Sequence, residues 1–86
     1  MDIIFITNQI KYDILNISGL SAEQCYNLTA TTPLYSIGYG EDESLCRKLE
    51  SKLQAIADEY NTGKLIQNGH VSKDTTVYQC IKLVIL

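Results

Sequence analysis

Residues 43–60, ESLCRKLESKLQAIADEY, set the first element of the fold. Leu45, Cys46, Leu49, Leu53, Ile56, Ala57 and Tyr60 recur every three or four residues, which places them on one face of an α-helix. Glu43, Arg47, Lys48, Glu50, Lys52 and Asp58 take the other face. The pattern predicts a helix over 42–60 with one side on a core and the other in water. Gly40 is a hinge before it. Glu41, Asp42 and Glu43 cluster at its first turn, where the positive end of the helix dipole favours carboxylates. Asn61, Thr62 and Gly63 end it, with Gly63 suited to a left-handed conformation.

Upstream, residues 34–39, LYSIGY, alternate as a strand does, with Tyr35, Ile37 and Tyr39 on one side. Pro33 disfavours a helical Thr32. Residues 21–29 predict a short helix with Ser21 as its cap and Gln24 at the reciprocal position. Residues 2–7 contain the apolar run IIFI and read as a buried strand. Residues 10–17 fit two periods. Ile10, Tyr12 and Ile14 alternate, whereas Ile10, Ile14 and Ile17 fit a helix stopped by Gly19. The β preference of Ile and Tyr favours a hairpin through Asn8 and Gln9.

Downstream, the spacing predicts a second hairpin, turning at Asn68 and Gly69 or at residues 72–75. The later turn gives longer strands and sets Ile66 opposite Ile81. Val77, Ile81, Leu83 and Ile85 then share one face, and Val84 and Leu86 the other, so the last strand is central or covered on both sides. The fold expected is α+β, one domain over residues 1–86. It comprises a mostly antiparallel sheet of four or five strands, one long helix packed across a face, and a short second helix.

Size and composition narrow the function classes. The chain has 86 residues, a single domain's worth, and 45% hydrophobic residues, too many for a disordered chain. Its net charge is −3 and Arg47 is the sole arginine, so the basic stripe of a nucleic-acid binder is missing, as is a polybasic membrane surface. IIFI is too short for a signal segment, and IKLVIL at 81–86 is too short to span a bilayer. The expectation is a soluble, cytoplasmic protein. Cys25, Cys46 and Cys80 are an odd set at long spacings, which favours reduced thiols. The sequons at Asn16 and Asn27 carry no weight without a secretory signal.

No strong chemical motif appears. His70 is the single histidine. A nucleophile site would need it beside a cysteine or tyrosine, with Asp74 orienting the imidazole. The spacing reads instead as a solvent-exposed turn histidine. The three cysteines with His70 lack the close ligand pairs of structural zinc, so neither a metal nor a cofactor is expected. Residues 35–40, YSIGYG, place glycines before a helix but match no phosphate-loop pattern, and the acid run that follows would repel phosphate.

The six tyrosines carry nearly all the aromatic surface, since Phe5 is the only phenylalanine and tryptophan is absent. Exposed tyrosine beside carboxylates is an amphipathic surface able to meet a basic protein. Tyr35, Tyr39, Glu41, Asp42 and Glu43 are therefore the candidate partner-binding residues. The expected role is a non-enzymatic protein-binding module. Its partner would itself carry a basic, nucleic-acid-binding surface, with a second copy of the chain as another candidate partner. A composition rich in Ile, Asn, Lys and Tyr, in a compact reading frame beginning at Met1, suits a phage or mobile-element accessory protein. By size and composition alone, the anti-CRISPR inhibitors of host nuclease complexes are such proteins. The rival classes are a small enzyme or ligand-binding domain built on His70, Asp74 and a cysteine or tyrosine, and a self-assembling subunit.

Overall fold

A computed structural model describes residues 3–85 as three α-helices joined by turns and two short 3₁₀ segments. Helix α1 spans Ile3–Ile17, α2 spans Ser44–Glu59 and α3 spans Val77–Ile85. The 3₁₀ segments are Ala22–Asn27 and Leu34–Ile37. Among the described residues there is no strand, and Pro33 and Thr76 form an isolated antiparallel bridge. The expected α+β sheet is thus replaced by an all-helical fold. Asp2 and Leu86, the outer ends of two expected strands, lie outside the described residues.

The competition at the N-terminus goes to the helical period. Ile6, Ile10 and Ile14 sit four apart and are all fully buried, with Leu15 beside them. Gly19 stops the helix at φ 82°. Its N–H donates to the Asn16 carbonyl at 3.1 Å, and the Leu20 N–H donates to the Leu15 carbonyl at 2.9 Å. That pair of bonds is the left-handed cap that satisfies the last carbonyls of a helix. Ile3, Ile4 and Phe5, expected in a buried strand, are exposed at the start of α1. The Phe5 ring meets Tyr60 edge-on, with centroids 6.2 Å apart.

Helix α2 has the predicted apolar stripe, and Cys46, Leu49, Leu53, Ile56 and Ala57 are buried. Its end repeats the α1 cap with a different residue. Asn61 takes the positive φ of 54°, its N–H reaching the Asp58 carbonyl and the Thr62 N–H reaching the Ala57 carbonyl. Gly63 also has a positive φ but lies beyond the cap.

Helix α3 replaces the expected last strand, and its start explains why. The Thr76 N–H donates to Gln79 Oε1 at 2.9 Å, and the Gln79 N–H donates to Thr76 Oγ1 at 3.2 Å. This reciprocal capping box fixes a helix start, after which Val77, Cys80 and Val84 turn inward. The 22–27 segment is a 3₁₀ turn in which Ser21 makes no side-chain cap bond; the Gln24 side chain accepts instead from Asn27.

Each α-helix packs against the other two. Leu28, Leu34, Tyr39 and Val71 from the connecting segments close the core. A fully buried Ile or Leu contributes about 1.5–3 kcal/mol, so the three facing stripes dominate the favourable side of the balance. No helix among the described residues is long and apolar enough to cross a membrane.

Candidate functional site

The segment carrying the candidate residues is strapped to the turn before α3. The Leu34 N–H donates to the Thr75 carbonyl at 2.9 Å and the Tyr35 N–H to the Lys73 carbonyl at 2.8 Å. In return the Val77 and Tyr78 N–H groups donate to the Thr32 and Ala30 carbonyls. Leu34 is buried, and Leu34–Ile37 makes one 3₁₀ turn that ends at Gly38 with φ 105°. That conformation disfavours any residue with a Cβ and lets the chain double back.

A turn of this kind does not keep Tyr35 and Tyr39 on one side, as a strand would. Tyr35 stays 56% exposed, whereas Tyr39 is 0% exposed. The Tyr39 hydroxyl donates to the Ile14 carbonyl of α1 at 2.6 Å. Burial, and then the neighbouring Cys80 and Cys46 thiols and Asp13, push this phenol well above its ordinary value of 10.0. Tyr39 is therefore an anchor and leaves the candidate recognition surface. Below Tyr35 the chain returns to it. A Cβ added at Gly40 would lie 3.2 Å from the Cβ of Tyr35, so the acid run starts against the exposed tyrosine.

Glu41, Asp42 and Glu43 are all exposed. Asp42 is committed to the helix start: its Oδ1 accepts from the Ser44 hydroxyl at 2.7 Å and the Ser44 N–H at 2.9 Å. Those two bonds hold its carboxyl below the ordinary value. Glu41 and Glu43 are left as the solvent-facing acids of the run.

The structure also brings together a group that periodicity set on the wrong side. Glu50, expected on the polar face of α2, is 5% exposed. Its Oε2 accepts from the Gly69 N–H at 2.8 Å, the Val71 N–H at 2.9 Å and Arg47 at 3.1 Å. Its Oε1 lies 2.8 Å from Arg47 Nε in an ion pair without straight hydrogen-bond geometry. Arg47 also donates to the Val71 carbonyl. One turn on, the Gln54 side chain grips the same connection, donating to the Lys64 carbonyl at 3.2 Å and accepting from the Ile66 N–H at 2.7 Å. Glu50 and Gln54 thus act as side-chain substitutes for a backbone partner along residues 64–71. Both lie close to the apolar stripe of α2, at i+4 and i+8 from Cys46. That position, with the polar, glycine-containing loop downstream, is the signal the sequence held for them.

His70 sits at the tip of this loop. It is exposed, and its Nδ1 accepts from the Gln67 N–H at 3.2 Å. It opens on a groove of about 320 Å³ lined by His70, Thr75, Gln79, Lys82 and Leu83. That lining includes no cysteine, tyrosine or carboxylate. Asp74, the expected orienting acid, is an exposed turn residue whose N–H donates to Ser72 Oγ at 3.3 Å. Cys46 and Cys80 are buried in the core, where burial raises both thiols, Cys80 to about 12. A thiol held that high is a poor nucleophile at neutral pH. Among the described residues no group of three His, Cys, Asp or Glu side chains is placed to hold a metal.

No protein-family model, no curated protein and no solved structure matches this chain.

Proposed function

We propose that this protein is a non-enzymatic binding module that recognises a basic surface of another protein through Tyr35, Glu41 and Glu43. The observation supporting this reading is the exposed Tyr35 set directly against Gly40, from which the acid run emerges. An exposed tyrosine contributes contact area with few rotors and one hydroxyl, which is why it recurs at interface centres. Carboxylates around it steer encounter with a cationic partner.

The surface also has a rigid base. Gly38, the buried Tyr39, the bonds to residues 73 and 75 and the Asp42 cap fix the loop before any partner arrives. Less ordering entropy is then lost on binding. A protein with a nucleic-acid groove offers the basic counterpart, and filling that groove would inhibit it. That is the role the composition favours for a phage or mobile-element accessory protein acting on a host nuclease-type complex.

The test is binding kinetics against the partner at low and high salt. Glu41→Lys with Glu43→Lys slows association and flattens its salt dependence, while Tyr35→Ala speeds dissociation. Unchanged rates in all of these folded variants would remove the proposal.

A further inference from the structure

We infer that the groove between the 70–75 loop and the outer face of α3 is a carboxylate-binding site. This inference is independent of the Tyr35 surface. The groove is lined by His70, Thr75, Gln79, Lys82 and Leu83. Its polar groups become one-sided once their existing bonds are counted. His70 Nδ1 already accepts from the Gln67 N–H, so the neutral imidazole carries its proton on Nε2. Gln79 Oε1 already accepts from the Thr76 N–H, which leaves the amide Nε2 hydrogens to donate. Thr75 is buried, and its Oγ1 accepts from the Ser72 N–H and lies 3.4 Å from the Ser72 hydroxyl, so it is engaged within its own turn. Lys82 has donors only, and its Nζ is held 5.6 Å from the centre of the Tyr78 ring.

The three groups that still face a ligand, His70 Nε2–H, the Gln79 amide and the Lys82 ammonium, are donors, one of them cationic. Among the described residues no acid lines the groove to compete for them. Gln79, Lys82 and Leu83 are spaced i, i+3 and i+4, so they share one face of α3 and present donor, ammonium and methyl groups side by side. The matching ligand has two acceptor oxygens, one negative charge and a short apolar stem. A carboxylate fits that description. A phosphate dianion is usually matched by an arginine fork or several cations, whereas the groove's lining has one lysine and no arginine.

The carboxylate has two sources, a free small acid or the C-terminus of a peptide. Titration of the ¹⁵N-labelled protein separates them, using sodium butyrate, acetyl-Ala-Leu with a free C-terminus, and its C-terminal amide, all at matched ionic strength. Shifts at the Gln79 side-chain amide and the His70 ring that saturate with butyrate support a small-acid site. Saturation with the free-acid peptide alone supports a peptide C-terminus. In either case Lys82→Gln weakens binding about tenfold, the usual scale for a hydrogen bond to a charged group. Lys48→Gln on α2 leaves binding unchanged. The inference is overturned if the amide peptide or sodium chloride shifts the same resonances equally, if no probe saturates, or if Lys82→Gln binds as wild type.

Discussion

Glu50→Ala is expected to be among the most damaging single substitutions outside the apolar core. The carboxylate is 5% exposed and accepts from the Gly69 and Val71 N–H groups while pairing with Arg47. Truncation leaves the Val71 N–H buried with no acceptor, at about 1–3 kcal/mol, and strands the Gly69 N–H in part. The Arg47 side chain is 42% exposed, so its released charge turns to water and adds little. The sum is about 1.5–4 kcal/mol, against a total stability of about 5 kcal/mol or somewhat more for a domain of this size. Glu50→Gln keeps one acceptor oxygen and loses less, about 1–2 kcal/mol. Arg47→Ala removes an ion pair that is half in solvent and is expected to fall below Glu50→Ala. Urea melts followed by helical circular dichroism give the three values. Hydrogen exchange at the Gly69 and Val71 amides reports the clamp itself. A loss under about 1 kcal/mol for Glu50→Ala, with both amides still protected, would show that the carboxylate does not hold the 69–71 backbone.

Further predictions follow from the core and its titrating groups. Leu49→Ala or Leu53→Ala, each fully buried, loses about 2–5 kcal/mol in the same melts. Tyr39→Phe keeps the ring and deletes the bond to the Ile14 carbonyl, lowering stability by about 0.5–1.5 kcal/mol while leaving the helical spectrum unchanged. Tyr39 and Cys80 both ionise less readily in the fold than when unfolded. Stability is therefore complete below the unfolded thiol value of 9.0 and falls as pH rises from there towards about 12. Cys80→Ala is expected to flatten that alkaline fall in melts taken from pH 8 upward.

The helix over 42–60 was legible because its two faces differ sharply, and the structure trims it to 44–59. Glu50 shows the limit of that reading. Its angular position borders the apolar stripe, but a lone carboxylate reads as solvent-facing unless its buried donors are known. Those donors are backbone N–H groups about 20 residues away, and backbone groups leave no trace in a sequence pattern.

The strands failed for a different reason. Ile and Tyr have a mild β preference, and their helical penalty is under about 1 kcal/mol each, so tertiary burial of Ile6, Ile10 and Ile14 outweighs it. Gly19 stated the helix stop openly. Thr76 and Gln79 also carried the capping-box spacing ahead of an apolar run, a local signal stronger than the alternation at 81–85. The turn signals at Asn68–Gly69 and Lys73–Asp74 are real turns, but the first lies within the connection from α2 and the second leads into α3, so neither joins two strands. At the candidate site, the acid run and Tyr35 could be named from the sequence. The inward turn of Tyr39 could not, because it depends on a 3₁₀ turn and a positive φ at Gly38.

The most direct test of the account is quantitative affinity capture from nuclease-treated host lysate. The baits are the wild-type protein and a folded Tyr35→Ala, Glu41→Lys, Glu43→Lys variant. If Tyr35, Glu41 and Glu43 form the recognition surface, the wild-type bait retains a protein with a basic nucleic-acid-binding surface and the variant retains it at least tenfold less. Equal capture of that protein by both baits would contradict that assignment.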